Sequence, residues 1–134
     1  KAFTAGTHGS TYGGHALACA AAYASVSEII DKDLSKNAYE MGEYMKKQLA
    51  KLPHVKEARG RGLLVGCEYD IPIAADVKHG CLDRLVLITA IGNNVNRMIP
   101  PLIVTKKQID KLIRIMRAAI ADAAEKYYAM DMAS

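Results

Sequence analysis

Between Ala16 and Ile30 the chain is apolar with no polar side. Leu17, Cys19, Tyr23, Val26, Ile29 and Ile30 are interleaved with alanines, and no charge occurs between Lys1 and Glu28. Such a run predicts a helix apolar all round, and a helix of that kind is normally buried all round. A domain of this length seldom encloses one, so the helix is expected to need a partner surface that the chain lacks. The next run is amphipathic. Over Leu34–Leu52 the residues Ala38, Met41, Met45, Leu49 and Leu52 recur at helical intervals, while Lys46, Lys47 and Lys51 point outward and Pro53 ends the helix. Val55–Arg59 and residues 60–69 then read as strands. Pro72 and the stretch Ala74–Leu82 suggest a loop and a short helix, and Leu85–Thr89 is rich in β-formers. Asn93 and Asn94 mark a turn. Val95, Arg97 and Ile99 alternate with Asn96 and Met98, as in a half-buried strand, and Pro100–Pro101 end the pairing. In the last helix Thr105 is the predicted N-cap, and Ile109, Leu112, Ile113, Met116, Ala119, Ile120 and Ala123 form one apolar stripe.

This order predicts an α+β fold: a small, mostly antiparallel sheet of three or four strands with helices on one face. Composition agrees with a packed core, since 51% of the 134 residues are hydrophobic. The net charge of +4 is mild and dispersed, so a nucleic-acid partner is not expected. No apolar stretch is long enough to span a membrane. Cys19, Cys67 and Cys81 are odd in number and far apart, which is no disulfide framework and no zinc pattern; a reducing cytoplasm is expected.

Few groups carry candidate chemistry. The opening loop holds Gly6, Gly9, Gly13 and Gly14 with Thr4, Thr7, Ser10 and Thr11. Backbone N–H groups of a glycine-rich turn before a helix can cradle a phosphate, with the Ser10 and Thr11 hydroxyls as added donors. The same spacing also suits a plain capping loop, and both readings stand. Arg97, late in its strand, suits either a two-pronged hold on a carboxylate or simple solvent exposure. His8 and His15 lack a partner at metal-ligand spacing. Arg59 and Arg61 in "RGRG" read as the start of a strand. The lysines of the last helix read as a solvated face. No Ser-His-Asp or Cys-His arrangement stands out.

Taken together, three stretches resemble a known family. "GTHGSTYGGHALACAAA" is similar to the segment G-[TD]-H-G-[ST]-T-[FY]-G-G-N-P-L-[AG]-C-A of class III pyridoxal-phosphate aminotransferases. "RGRGLLVGCE" resembles that family's R-G-x-G-L-[LM]-x-G-x-E strand, and "NNVNRMIPPLIVTKKQID" its arginine-containing strand and the helix start after it. The likeness is greatest to members acting on acetylornithine, followed by those acting on ornithine, succinylornithine or other ω-amino acids. The resemblance implies a pyridoxal 5'-phosphate cofactor, an amino acid and 2-oxoglutarate as substrates, a cytoplasmic homodimer, and no nucleic-acid or membrane partner. It implies that residues 1–30 are a phosphate-contacting loop and interdomain helix, and that residues 31–134 are the C-terminal small domain of a fold-type I enzyme. Thr11 matches the threonine that contacts the phosphate of the partner subunit's cofactor. Ser10 matches the serine near phosphate and substrate, and Arg97 the arginine that holds the substrate carboxylate. The Schiff-base lysine and the acid that pairs the cofactor ring lie upstream in the family. Lys1 is too close to Thr11 to be that lysine, so no catalytic residue is expected here and the chain alone is expected to be inactive. One departure is His15–Ala16, where the family usually has Asn-Pro. The non-enzymatic alternative is a free-standing module that binds a partner through its apolar helix.

Overall fold

The computed structural model describes residues 4–132, which leaves Lys1 outside the described residues. The elements in chain order are α1 (Ala16–Asp31), α2 (Leu34–Leu49), β1 (Val55–Arg61), β2 (Leu64–Tyr69), α3 (Ala74–Leu82), β3 (Thr89–Ile91), β4 (Val95–Met98) and α4 (Lys106–Asp131). They fall into two compact units, residues 1–34 and residues 35–134. No helix among the described residues is long and apolar enough to cross a membrane.

The first unit is the glycine loop and α1. Alanine-rich sequence favours the helix, since alanine has the best intrinsic propensity. No residue of α1 is buried. Leu17, Tyr23, Val26 and Ile30 are all exposed.

The second unit is an antiparallel sheet in the order β1-β2-β4-β3 with helices on one face, the α+β layout that the pattern predicts. Alternation along each strand decides what packs. Val65, Cys67 and Tyr69 of β2 and Met98 of β4 point inward, against Met45 and Leu49 of α2, Val77 and Cys81 of α3, and Ile109, Met116 and Ile120 of α4. Burying each large apolar side chain contributes about 1.5–3 kcal/mol. The opposite face of the sheet is open. There β1 shows Glu57, Arg59 and Arg61, β2 shows Leu64, Gly66 and Glu68, and β4 shows Val95 and Arg97. In β4 the inward pair is therefore Asn96 and Met98, while Ile99 lies exposed beyond the strand end.

Several boundaries differ from the sequence pattern. α2 stops at Leu49 and not Leu52, because the chain tightens into turns ahead of Pro53, with Lys51 N–H donating to Gln48 O and Leu52 N–H to Leu49 O. By contrast, α3 over Ala74–Leu82 is the short helix that the sequence pattern suggests after the Pro72 loop. The largest difference is at Leu85–Thr89, where the strand starts only at Thr89. Residues 84–86 instead fold back on the end of α3: Arg84 and Val86 N–H donate to Cys81 O, and Leu85 N–H to Leu82 O. Leu85 takes a left-handed φ of 61°, which no extended strand accommodates. Leu85 and Leu87 are left exposed and help line an apolar groove of about 650 Å3 with Ile99, Ile103 and Leu112.

Candidate functional site

Ser10 and Thr11 belong to the first unit, Arg97 to the second. In the loop, Gly13 N–H donates to Ser10 O at 3.2 Å and His15 N–H to Tyr12 O at 3.2 Å, forming a turn that delivers the chain into α1. Gly14 completes it at φ 77°. Thr7 braces the earlier part, its hydroxyl donating to Thr4 O at 2.7 Å. Ser10 and Thr11 are exposed, and among the described residues their hydroxyls make no hydrogen bond. His15 takes the N-cap position in an extended conformation without a side-chain cap, and the first turn of α1 holds no acidic residue. That leaves a helix N-terminus with uncapped donors and a positive local field. Added Cβ atoms at Gly9 and Gly14 would meet nothing within 4 Å, so the loop surface is open. Free hydroxyls, uncapped amides and the absence of acid fit a phosphate group.

Arg97 stands on the open face of the sheet. It lies opposite Gly66 on β2 and Thr89 on β3, so one row across the sheet runs Arg59, Gly66, Arg97, Thr89. β4 is an interior strand, which makes Arg97 a rigidly mounted residue and not one on a free edge. Gly66 leaves a gap beside it: a Cβ there would come no nearer than 3.8 Å to any neighbour, the closest being a Val95 methyl. Among the described residues the Arg97 guanidinium has no acidic or hydrogen-bonding partner. It is exposed, yet it is held on ordered backbone, and that geometry suits a carboxylate brought to the face.

The strand is fixed from beneath by a buried polar chain. The Tyr69 hydroxyl donates to Asn96 Oδ1 at 2.8 Å, and Asn96 Nδ2 donates to Ala74 O at 2.9 Å. Asn96 is fully buried. A one-residue slip of β4 would expose this satisfied amide and bury the Arg97 charge, so the network specifies the register that turns Arg97 outward. Burial also pushes the Tyr69 hydroxyl well above its usual range, which keeps it a donor. Sequence reasoning missed Asn96 and Tyr69; the one available signal was an asparagine at a position alternating with Arg97.

Beside Arg97 lies a charge cluster. Arg59 contacts Glu57 at 2.8 Å and also Glu68, while Lys56 reaches Glu68 at 3.3 Å. Glu68 is held below the ordinary carboxylate range by Arg59 first and by Lys56 next. Hydrogen bonds to Glu68 and then Glu57 raise Arg59 in turn. Arg59, read from sequence only as the start of a strand, is thus part of an organised surface. Among the described residues no three His, Cys, Asp or Glu side chains gather as a metal site.

Comparison with known proteins gives a consistent family. Residues 1–120 match the family model described as aminotransferase class-III. The acetylornithine aminotransferase of Caldanaerobacter subterraneus subsp. tengcongensis is 37% identical over 124 residues, which is 90% of this chain and 32% of that protein. Ornithine aminotransferase 2 of Staphylococcus aureus is 40% identical over 117 residues, 86% of this chain and 29% of that protein. Among solved structures, the amine transaminase of an uncultivated Pseudomonas species, in its PLP-bound form, superposes with a TM-score of 0.77 at 28% identity, covering 87% of this chain and 30% of that one. The chain therefore spans about a third of the length of the curated relatives it matches.

Proposed function

The chain belongs to the class III aminotransferases, and from that premise we propose that it is the C-terminal part of a pyridoxal-phosphate transaminase acting on N-acetylornithine and 2-oxoglutarate. The observation that carries the proposal is Arg97, a guanidinium without a partner among the described residues, set on an interior strand beside the Gly66 gap. Its planar fork binds a substrate carboxylate through two hydrogen bonds and so fixes the amino group's approach to the reacting centre. Thr11 and Ser10, with the uncapped first turn of α1, hold the cofactor phosphate of the partner subunit in a cytoplasmic homodimer. Pyridoxal 5'-phosphate, when bound, supplies the electron sink that stabilises negative charge at the substrate carbon. The lysine that moves the proton comes from upstream sequence, so this chain binds and orients but does not itself transfer protons. The chain alone is inactive in this reading.

Relatives acting on acetylornithine and on ornithine match at similar identity. Ornithine is therefore the second substrate reading, and one assay separates the two. The full-length enzyme carrying this chain is expected to transaminate N-acetylornithine with 2-oxoglutarate at a higher kcat/KM than ornithine; the reverse preference transfers the assignment to ornithine. In the same enzyme Arg97→Ala is expected to lower kcat/KM, with a loss of about 2–4 kcal/mol in transition-state binding, mostly through KM. An unchanged kcat/KM removes Arg97 from the site.

A further inference from the structure

A carboxylate that stands within reach of Arg97 is already engaged elsewhere. Arg97 lies opposite Gly66, and Glu68 lies opposite Val95, so Glu68 and Arg97 are diagonal neighbours on the open face. Diagonal neighbours in an antiparallel pair are about 7–8 Å apart, a gap that two long side chains close easily. Gly66 contributes no side chain of its own there. The nearest groups to its missing Cβ are a Val95 methyl at 3.8 Å and the Arg59 backbone oxygen at 3.9 Å, over which two long side chains can still meet. A free Glu68 would pair with the Arg97 guanidinium and compete with any incoming carboxylate.

Two cations prevent this. Arg59 contacts Glu68 and, at 2.8 Å, Glu57. Lys56 reaches Glu68 at 3.3 Å. The register makes both contacts possible. A bulge in β1 between Val55 and Glu57 sets Glu57 directly opposite Glu68 and brings Lys56 to the same carboxylate. Two carboxylates directly opposed across strands repel, and Arg59 bonded to both removes that repulsion. Lys56 and Arg59 thus balance Glu57 and Glu68, and among the described residues no acidic side chain pairs with Arg97. Arg59 first and Lys56 next hold Glu68 below the ordinary carboxylate range, which favours its charged, paired form.

We infer that Arg59 is a positioning residue for carboxylate recognition: with Lys56, it sequesters Glu68 so that the Arg97 guanidinium remains available to the substrate carboxylate. The inference rests on the carboxylate role proposed for Arg97. It predicts a specific defect when Arg59 loses its charge. Glu68 swings to Arg97, and substrate binding weakens although no group touching substrate has changed.

Two readouts test it, and neither depends on the other. In the 134-residue chain, NMR follows the exchange with water of the Arg97 Nε–H proton. Arg59→Gln is expected to slow that exchange about threefold as the new ion pair forms, on the scale of an exposed pair. The double variant Arg59→Gln/Glu68→Gln is expected to return it to the parent rate, and Arg59→Lys to leave it unchanged. In the full-length enzyme, Arg59→Gln is expected to raise the KM for 2-oxoglutarate about three- to fivefold with kcat unchanged, and the double variant to restore it. An unaltered Arg97 signal in Arg59→Gln overturns the inference. So does a raised KM that the double variant fails to restore, because Arg59 then acts through the fold or touches substrate itself. If the NMR changes occur but Arg97→Lys leaves the KM for 2-oxoglutarate untouched, the pairing is real and the carboxylate role of Arg97 is what fails.

Discussion

At the scale of single residues, burial divides the three cysteines. Cys67 and Cys81 are enclosed and Cys19 is exposed. Burial pushes both enclosed thiols up to about 11 from an ordinary value of 9.0, because the thiolate would lose its hydration in the core. The sign of the effect on stability follows from linkage. The unfolded chain ionises first, so the contribution is fully present below pH 9.0 and is lost as pH rises toward about 11. Urea midpoints are expected to fall across that window, and Cys67→Ala with Cys81→Ala to flatten the fall; an undiminished slope would assign it to other groups. A thiol reagent at about pH 8 is expected to modify Cys19 rapidly and the other two only after unfolding, since reactivity needs an accessible thiolate. Gly42 is a second residue with a measurable role. A Cβ there would lie 2.0 Å from Gly62 O, a backbone atom of the β1–β2 turn that has no freedom to rotate away. Alanine would add about 1 kcal/mol of helix propensity to α2. Overpacking against backbone costs about 1–3 kcal/mol or more, so the clash wins and Gly42→Ala is expected to destabilise the chain in urea unfolding.

At the scale of elements, α4 is the best-specified part of the chain. Thr105 Oγ1 accepts from Gln108 N–H at 3.4 Å, and Gln108 Oε1 accepts from Thr105 N–H at 2.9 Å, closing a capping box. Thr105→Ala is expected to lower stability by about 1 kcal/mol, read as a lower urea midpoint with unchanged slope. Helices with one apolar stripe and a capped start, such as α4, were legible in the sequence because both signals are local. The strand order was not, because which strands pair depends on the whole core. Leu85–Thr89 shows why composition alone misleads: β-branched and apolar residues there spend their backbone groups on the end of α3, and pairing begins only where Thr89 meets Arg97. Arg97 was legible as a candidate through the segment around it. Its support was not, since the Tyr69–Asn96 chain joins residues far apart in sequence, and the grip of Arg59 on Glu68 depends on a bulge that no pattern of polar positions announces.

At the scale of the whole molecule, α1 governs how the chain behaves in isolation. Tyr23, Val26 and Ile30 follow spacings of three and four and share one side of the helix, while Leu17 lies on another. All four are exposed, Tyr23 to 78% and Leu17 to 74%. Apolar surface of this extent on more than one side is rare on a soluble monomer. Burial of each such side chain is favourable by about 1.5–3 kcal/mol, and pairing of two copies through the Tyr23 side covers three of them on each. The isolated chain is therefore expected to self-associate, with a scattering mass that rises above 14.5 kDa as concentration increases. Val26→Glu with Ile30→Glu is expected to restore the monomer without disturbing the sheet, since neither side chain is buried in the core. Leu17→Glu, on the other side of the helix, is expected to have a smaller effect. A mass that stays at 14.5 kDa at high concentration would show that α1 is tolerated in water, and the case that this helix requires a covering surface would then fail.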